Sequence, residues 1–264
     1  MKPEQEFYIG WQQSAPPATA RAIKHFVHML ALVMAVFAAV TVVFQRHISN
    51  SIFEFGQTTT LTGVLTFKPV PMLILPETGR RVLLVSAGKF GGEKVLERVE
   101  ARLGEHLVDK PIVATGSLIY HDGKTVLELH DARPADLKEP TLLSETPTTL
   151  GHVALRGEIT DPKCYFGVMK PAVGKPHQDC TARCLAGGIP PVLKVANAAG
   201  DTEYYLMKGA DGETINELVA PFAGGAVEVR GELRQWGDWL AVYIDPASLR
   251  RIQTLTLNPG SMCR

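Results

Sequence analysis

The chain has no surplus charge of either sign: 27 Lys and Arg stand against 27 Asp and Glu, a formal net charge of zero over 264 residues. This argues against a nucleic-acid partner, which would be met by a basic patch or stripe. Motifs of independent catalysis are also missing. There is no G-x-S-x-G elbow, no H-E-x-x-H and no Rossmann fingerprint, and the carboxylates are scattered. "SAGKFGGEK" follows the strand-like "VLLV" as a phosphate loop would, but it lacks the leading Gly of Walker A and a Ser or Thr after Gly88-Lys89. It reads as an ordinary strand-to-helix turn, and the chain as a whole is read as non-catalytic.

Long apolar runs are scarce too, with one exception. "FVHMLALVMAVFAAVTVVF", residues 26–44, carries only His28 and Thr41 as polar members. At about 1.5 Å per residue, a helix of this length nearly crosses a hydrocarbon core of roughly 30 Å. A cleaved signal peptide would have a shorter run and a small-residue cleavage site close behind it, whereas Gln45-Arg46-His47 follows here. Lys2, Arg21 and Lys24 precede the run and Arg46 alone follows closely. The bias of basic residues toward the inner face then leaves the N-terminus in the cytoplasm. The expected location is the inner membrane, with residues 1–25 a cytoplasmic tail, 26–44 a single transmembrane helix and the rest on the periplasmic side.

Beyond residue 57 the chain repeats itself. "LTGVLTFKPVPML" at Leu61 aligns with "LRGEITDPKCYFG" at Leu155, and "VLLVSAGKFGGEKVLERV" at Val82 with "YYLMKGADGETINELV" at Tyr204. "IVATGSLIYHDGKTVLELHDA" at Ile112 aligns with "VEVRGELRQWGDWLAVYIDPA" at Val227, placing Gly116 on Gly231, Gly123 on Gly237 and Asp131 on Asp245. Each copy has short, alternating or continuous β-branched and apolar runs with Gly-containing turns, and one helical pattern after the third strand. Several short strands with one helix between the third and fourth is the order of a five-stranded OB barrel. The chain therefore resembles membrane-anchored OB-fold modules, at the level of fold and with no family motif. The expected class is mainly β: a transmembrane helix, then two tandem OB-like barrels at residues 58–137 and 152–252. A linker is expected at 138–151 and a C-terminal tail at 253–264.

Cysteine is rare, but it is concentrated. Three of the four cysteines fall in "DPKCYFGVMKPAVGKPHQDCTARCLAGGIPP", residues 161–191. Copy two is longer than copy one here, so residues 164–191 read as a Cys-rich insertion on a barrel loop, with 169–190 peripheral to the barrel. Pro176 suits the first turn of a helix and Gly187-Gly188 with Pro190-Pro191 stop it, which predicts a short helix over "PHQDCTARCLA". His177, Cys180 and Cys184 fall at i, i+3 and i+7 and would share one face. Cys164, at the exit of the first strand, could fold back onto that face.

Three thiols and one imidazole make a Cys3His ligand set, and a metal site of Cys164, His177, Cys180 and Cys184 is the candidate. The cofactor could be copper, zinc, haem iron or an iron-sulfur cluster. The alternative is a disulfide of Cys164 with Cys180 or Cys184, stabilising the loop by about 2–4 kcal/mol in an oxidising compartment. The expected function is a membrane-anchored accessory or assembly subunit of a membrane redox system, partnered by another membrane or periplasmic protein such as an oxidoreductase. Two other functions compete with it: a structural interaction module with a disulfide-braced loop, and a thiol-disulfide oxidoreductase.

Overall fold

Pro17 stands at a first helical turn, where its missing N–H costs nothing, and three alanines follow within five residues. The helix α1 accordingly runs over Pro17–Phe44, starting nine residues before the apolar stretch. The computed structural model describes residues 15–44, 51–136, 146–196 and 201–253. It divides into two units, Met1–Ser49 and Asn50–Arg264. The first unit contains α1, which is long and apolar enough to cross a membrane, with a mean hydropathy of 2.5 in its best window. Both polar members of its apolar run are satisfied on the helix itself. Thr41 Oγ1 donates to Phe37 O (2.7 Å) and His28 Nδ1 to Lys24 O (2.6 Å), which lowers the cost of placing them in an apolar solvent. Of the expected N-terminal tail, residues 17–25 are thus helical, while residues 1–14 lie outside the described residues.

The second unit is built on two sheets. In the first, β2 (Thr59–Thr66), β3 (Met72–Ile74), β4 (Arg81–Ser86), β5 (Pro111–His121) and β6 (Lys124–Pro134) stand in the order β5-β2-β3-β4-β6. β5 also pairs with β6, which closes the sheet into a five-stranded barrel without an open edge. β4 and β6 are parallel, and the other pairings within the barrel are antiparallel. A short strand, β1 (Ile52–Phe53), extends the sheet on β5. Helix α2 (Glu93–Leu103) presents Val95, Leu96 and Val99 to the interior and ends on Gly104, which is left-handed and returns its N–H to Glu100 O. The barrel interior is a cluster around Leu65, Leu73, Leu84, Leu96, Ile112 and Leu127.

The second sheet repeats this arrangement with β7 (Thr148–Thr160), β8 (Val192–Ala196), β9 (Thr202–Gly209), β10 (Ala226–Trp236) and β11 (Trp239–Ile244). Their order is β11-β9-β8-β7-β10, β10 pairs again with β11, and β9 and β11 are parallel. The aligned glycines do the same job in both halves. A Cβ on Gly116 would lie 2.2 Å from Glu128 O, and one on Gly231 2.1 Å from Tyr243 O, so each long strand needs a bare Cα where it presses on its neighbour.

The differences from expectation have local causes. β7 begins at Thr148, inside the expected linker, because Thr148 and Thr149 pair with Gln235 and Arg234 across a bulge. Cross-strand pairing extends a strand beyond what its own pattern announces. The second helix shrinks to α4 (Asn216–Val219), followed by a 3-10 turn over Ala220–Phe222 that contains Pro221. A two-residue strand, β12 (Arg250–Arg251), pairs with β10. Residues 137–145 of the expected linker and 254–264 of the expected tail, with Cys263, lie outside the described residues.

The largest correction concerns the cysteine insertion. The expectation that residues 169–190 are peripheral is overturned by a core cluster between the two sheets, separate from the interior of either. It joins Met72, Leu83, Val85 and Ile119 of the first half to Tyr204, Leu206, Trp239 and Ala241 of the second through Cys164, Phe166, Ala172, Cys184 and Ile189 of the insertion. The insertion is the filling of the seam. A loop carrying this much apolar surface cannot remain in water when two sheet faces are available to cover it. Trp239 and Tyr204 belong to the same packing, and both are fully buried.

Candidate metal centre

The site begins where β7 runs out. Asp161, fully buried, accepts the Cys164 backbone N–H on Oδ1 (2.8 Å) and the Tyr165 N–H on its carbonyl oxygen (3.1 Å). These bonds turn the chain into a single wide turn over Cys164–Val168, closed by Met169 N–H on Cys164 O. The chain then reaches a 3-10 turn at Lys175–His177 and enters helix α3, Gln178–Ala186, as the sequence predicts. Asn216 of α4 fixes the far end of α3, donating from Nδ2 to Leu185 O (2.7 Å) and Ile189 O (2.9 Å). Such orphan carbonyls must be satisfied when a helix end is buried.

Cys180 and Cys184 are one turn apart on α3, and the turn after β7 brings Cys164 to them. The three sulfur atoms lie within 4.8 Å of one another. Cys164 Sγ is 4.0 Å from Cys180 Sγ. Cys164 and Cys184 are buried, Cys180 is partly exposed, and all three are free thiols. The sequence-predicted quartet does not converge as one set. His177 joins a neighbouring trio with Asp161 and Cys164, so that Cys164 belongs to both groups. His177 Nε2 is 3.4 Å from Asp161 Oδ2, both side chains are buried, and neither atom makes a hydrogen bond among the described residues.

The thiols are electrostatically unequal. The hydrogen bond between Cys164 and Cys184 raises the Cys164 thiol, and burial and the Asp161 carboxylate push it further the same way. The same bond lowers Cys184 against the opposing effect of burial, with help from the charge on Lys89. The shared bond therefore favours the proton on Cys164 over Cys184. Lys89 lies in the strand-to-helix turn that resembles a phosphate loop, and its ammonium donates to Cys180 Sγ at 2.9 Å. That bond is the first cause holding the Lys89 ammonium above its ordinary range.

Lys89 arrives from the first half, and a second lysine returns the contact. Lys163 Nζ, buried, donates to Ser86 O and Gly88 O (2.8 Å each) and pairs with Glu128 Oε2 (2.5 Å). Gly91 N–H also bonds Gly187 O (3.0 Å). The approach is so close that a Cβ on Gly187 would stand 1.8 Å from Lys89 O. Backbone cannot step aside as the end of a side chain can, so Gly187→Ala is expected to pry loop 86–91 off α3. Cys180 should then react several-fold faster with a bulky alkylating reagent in the folded chain, and an unchanged rate would contradict this close packing.

Asp161 and Lys89 escaped sequence reasoning. Asp161 had a visible signal, a carboxylate three residues before a cysteine at a strand exit, where a side chain can cap the turn. Lys89 had none, since its partner is 91 residues away. Comparison of the chain with protein-family models, with curated proteins and with solved structures finds no match.

Proposed function

We propose that this chain is a non-catalytic, membrane-anchored accessory or assembly subunit of a membrane redox system, and that its thiol cluster is a metal-binding element. One observation carries the reading: three thiols converge in a seam between two sheets, where two are buried and a lysine faces the third. Buried thiols gathered around one point are a soft-metal donor set. The strand order and the parallel third-to-fifth pairing within each half support two tandem OB-like barrels. The length and apolarity of α1 support an anchor, and the basic residues Lys2, Arg21 and Lys24 before its apolar run support a cytoplasmic N-terminus with the barrels periplasmic. The partner is a membrane or periplasmic protein, an oxidoreductase by the chemistry of the cluster.

Topology and function are tested together. A reporter fused after Arg264 should be active only outside the cytoplasm, and Cys184→Ser should lower the activity of the oxidoreductase that co-purifies from mild detergent. Activity that survives Cys184→Ser and Cys180→Ser would leave the barrels as the working part and the cysteines as a brace.

The bracing alternative has its own support, the burial of Cys164 and Cys184 in the shared core. Counting thiols on the chain, purified natively and then denatured without reductant, separates the two. All four cysteines react under the ligand reading, and two fewer if Cys164 is bridged to Cys180 or Cys184.

A further inference from the structure

The donor set is more selective than a generic metal site, and the following rests on the metal reading of the cluster. We infer that the three thiols hold one thiophilic d10 monovalent cation, of the copper(I) class, in a three-coordinate all-sulfur site from which His177 is excluded. Cys180 is the ligand by which the ion enters.

Three observations converge on this. The first is the split of the expected quartet: the sulfurs of Cys164, Cys180 and Cys184 form one mutual set, whereas His177 falls in a second set with Asp161 and Cys164, within 4.8 Å of one another, that reaches neither Cys180 nor Cys184. A structural zinc ion takes four ligands in a tetrahedron, and iron-sulfur clusters take four thiolates. Three sulfurs without a nitrogen satisfy neither, and soft thiolates alone are the set preferred by a soft monovalent ion. Among the described residues no fourth cysteine is available.

The second observation is the spacing. A metal at the centre of a sulfur triangle, with bonds of about 2.3 Å, places its ligands about 4.0 Å apart. Cys164 Sγ and Cys180 Sγ are 4.0 Å apart. A trigonal ion therefore needs little movement of these two side chains.

The third is the asymmetry of access. Cys164 and Cys184 are sealed in the seam, at 6% and 1% exposure, while Cys180 is half-buried and bonded to the ammonium of a long, flexible side chain. Lys89 offsets the negative charge of gathered thiolates and can swing aside when an ion arrives. His177 Nε2 faces the Asp161 carboxylate at 3.4 Å, and the other oxygen of that carboxylate holds the Cys164 backbone N–H. The ring thus stands beside the turn that carries Cys164.

The test uses the full chain in detergent, without oxygen, titrated with copper(I) against a competing chelator and separately with zinc(II). Expected is one copper(I) per chain, with sulfur the only scatterer in its X-ray absorption shell. Cys164→Ser, Cys180→Ser and Cys184→Ser should each weaken binding by about 100-fold or more, since each opens the coordination sphere. His177→Asn, which keeps a polar group beside Asp161, should retain copper(I) within about threefold.

A nitrogen in the copper shell of the wild-type chain would overturn the inference whether or not the His177 variant folds. So would a folded His177→Asn chain that loses copper as Cys180→Ser does, or a four-coordinate zinc that needs His177. Any of these leaves the metal reading of the cluster standing. A folded wild-type chain that takes up neither ion overturns both.

Discussion

Replacing residues 169–190 with a short Gly-Ser turn is expected to abolish cooperative unfolding of the second unit. Loop shortening costs little by itself, because closure entropy changes only slowly with length. Here the segment carries Ala172, Cys184 and Ile189 of the shared core, and Leu185 of the second half's interior. Removing it uncovers Trp239, Tyr204, Met72 and Val85, which otherwise never meet water. Each large apolar side chain returned to water costs about 1.5–3 kcal/mol, and four or more of them approach the 5–15 kcal/mol that holds a whole domain together. Tryptophan fluorescence across a denaturant series reads the outcome directly. A sigmoidal transition at the wild-type midpoint would mean that the seam closes without the insertion, and would restore it to a surface loop.

Lys163→Met should be the most damaging single substitution outside the apolar core, at about 3–5 kcal/mol. The ammonium is buried and meets an acceptor in each of three directions, Ser86 O, Gly88 O and Glu128 Oε2, all from the first half. Those are as many bonds as an ammonium can donate. Truncating it leaves Glu128, whose side chain is only 12% exposed, without its nearest cation, with only His130 Nε2 at 3.6 Å beside its other oxygen, and takes the Lys163 donor from two carbonyls. The matching test is a double-mutant cycle with Glu128→Gln. If the loss reflects an orphaned charge, the double variant should recover a good part of it, because a buried pair replaced as a whole is far less costly than a pair broken in half. Additive losses would show that Lys163 acts through packing of its stem alone.

Both expectations concern the same region, where the two halves exchange lysines. Lys89 crosses to Cys180 of the second half, and Lys163 crosses to the strand end and loop of the first. The thiol cluster is therefore a property of the docked pair of sheets. This gives a stability defect in the seam a functional signature: a substitution that loosens loop 86–91 alters the surroundings of Cys180 without touching a sulfur.

What could be read from the chain alone was whatever repeats over a short distance. The apolar run announced α1 because nineteen nearly uninterrupted apolar residues have the length and composition of one long helix. Glycines at matching places announced that the halves share a strand order, since a strand pressed against its neighbour tolerates no Cβ at Gly116 or Gly231. Pro176 and the Gly187-Gly188 pair bracketed α3, because helix ends are set by local backbone chemistry. The convergence of Cys164 with Cys180 and Cys184 was legible as a possibility, from a strand exit followed by one helical face.

The tertiary structure alone decided the rest. It grouped His177 with Asp161 and Cys164 and not with Cys180 and Cys184, because the imidazole sits in the turn before α3 beside a buried carboxylate that the sequence did not mark as its neighbour. It brought Lys89 to Cys180 across 91 residues, and it turned an apparent loop insertion into the core of a seam. The physical reason is common to all three. Hydrophobic period and turn chemistry specify an element and which of its faces is apolar, but they do not say what will cover that face. Where two sheets each offer an uncovered side, burial, charge pairing and close backbone approach are settled only when they meet.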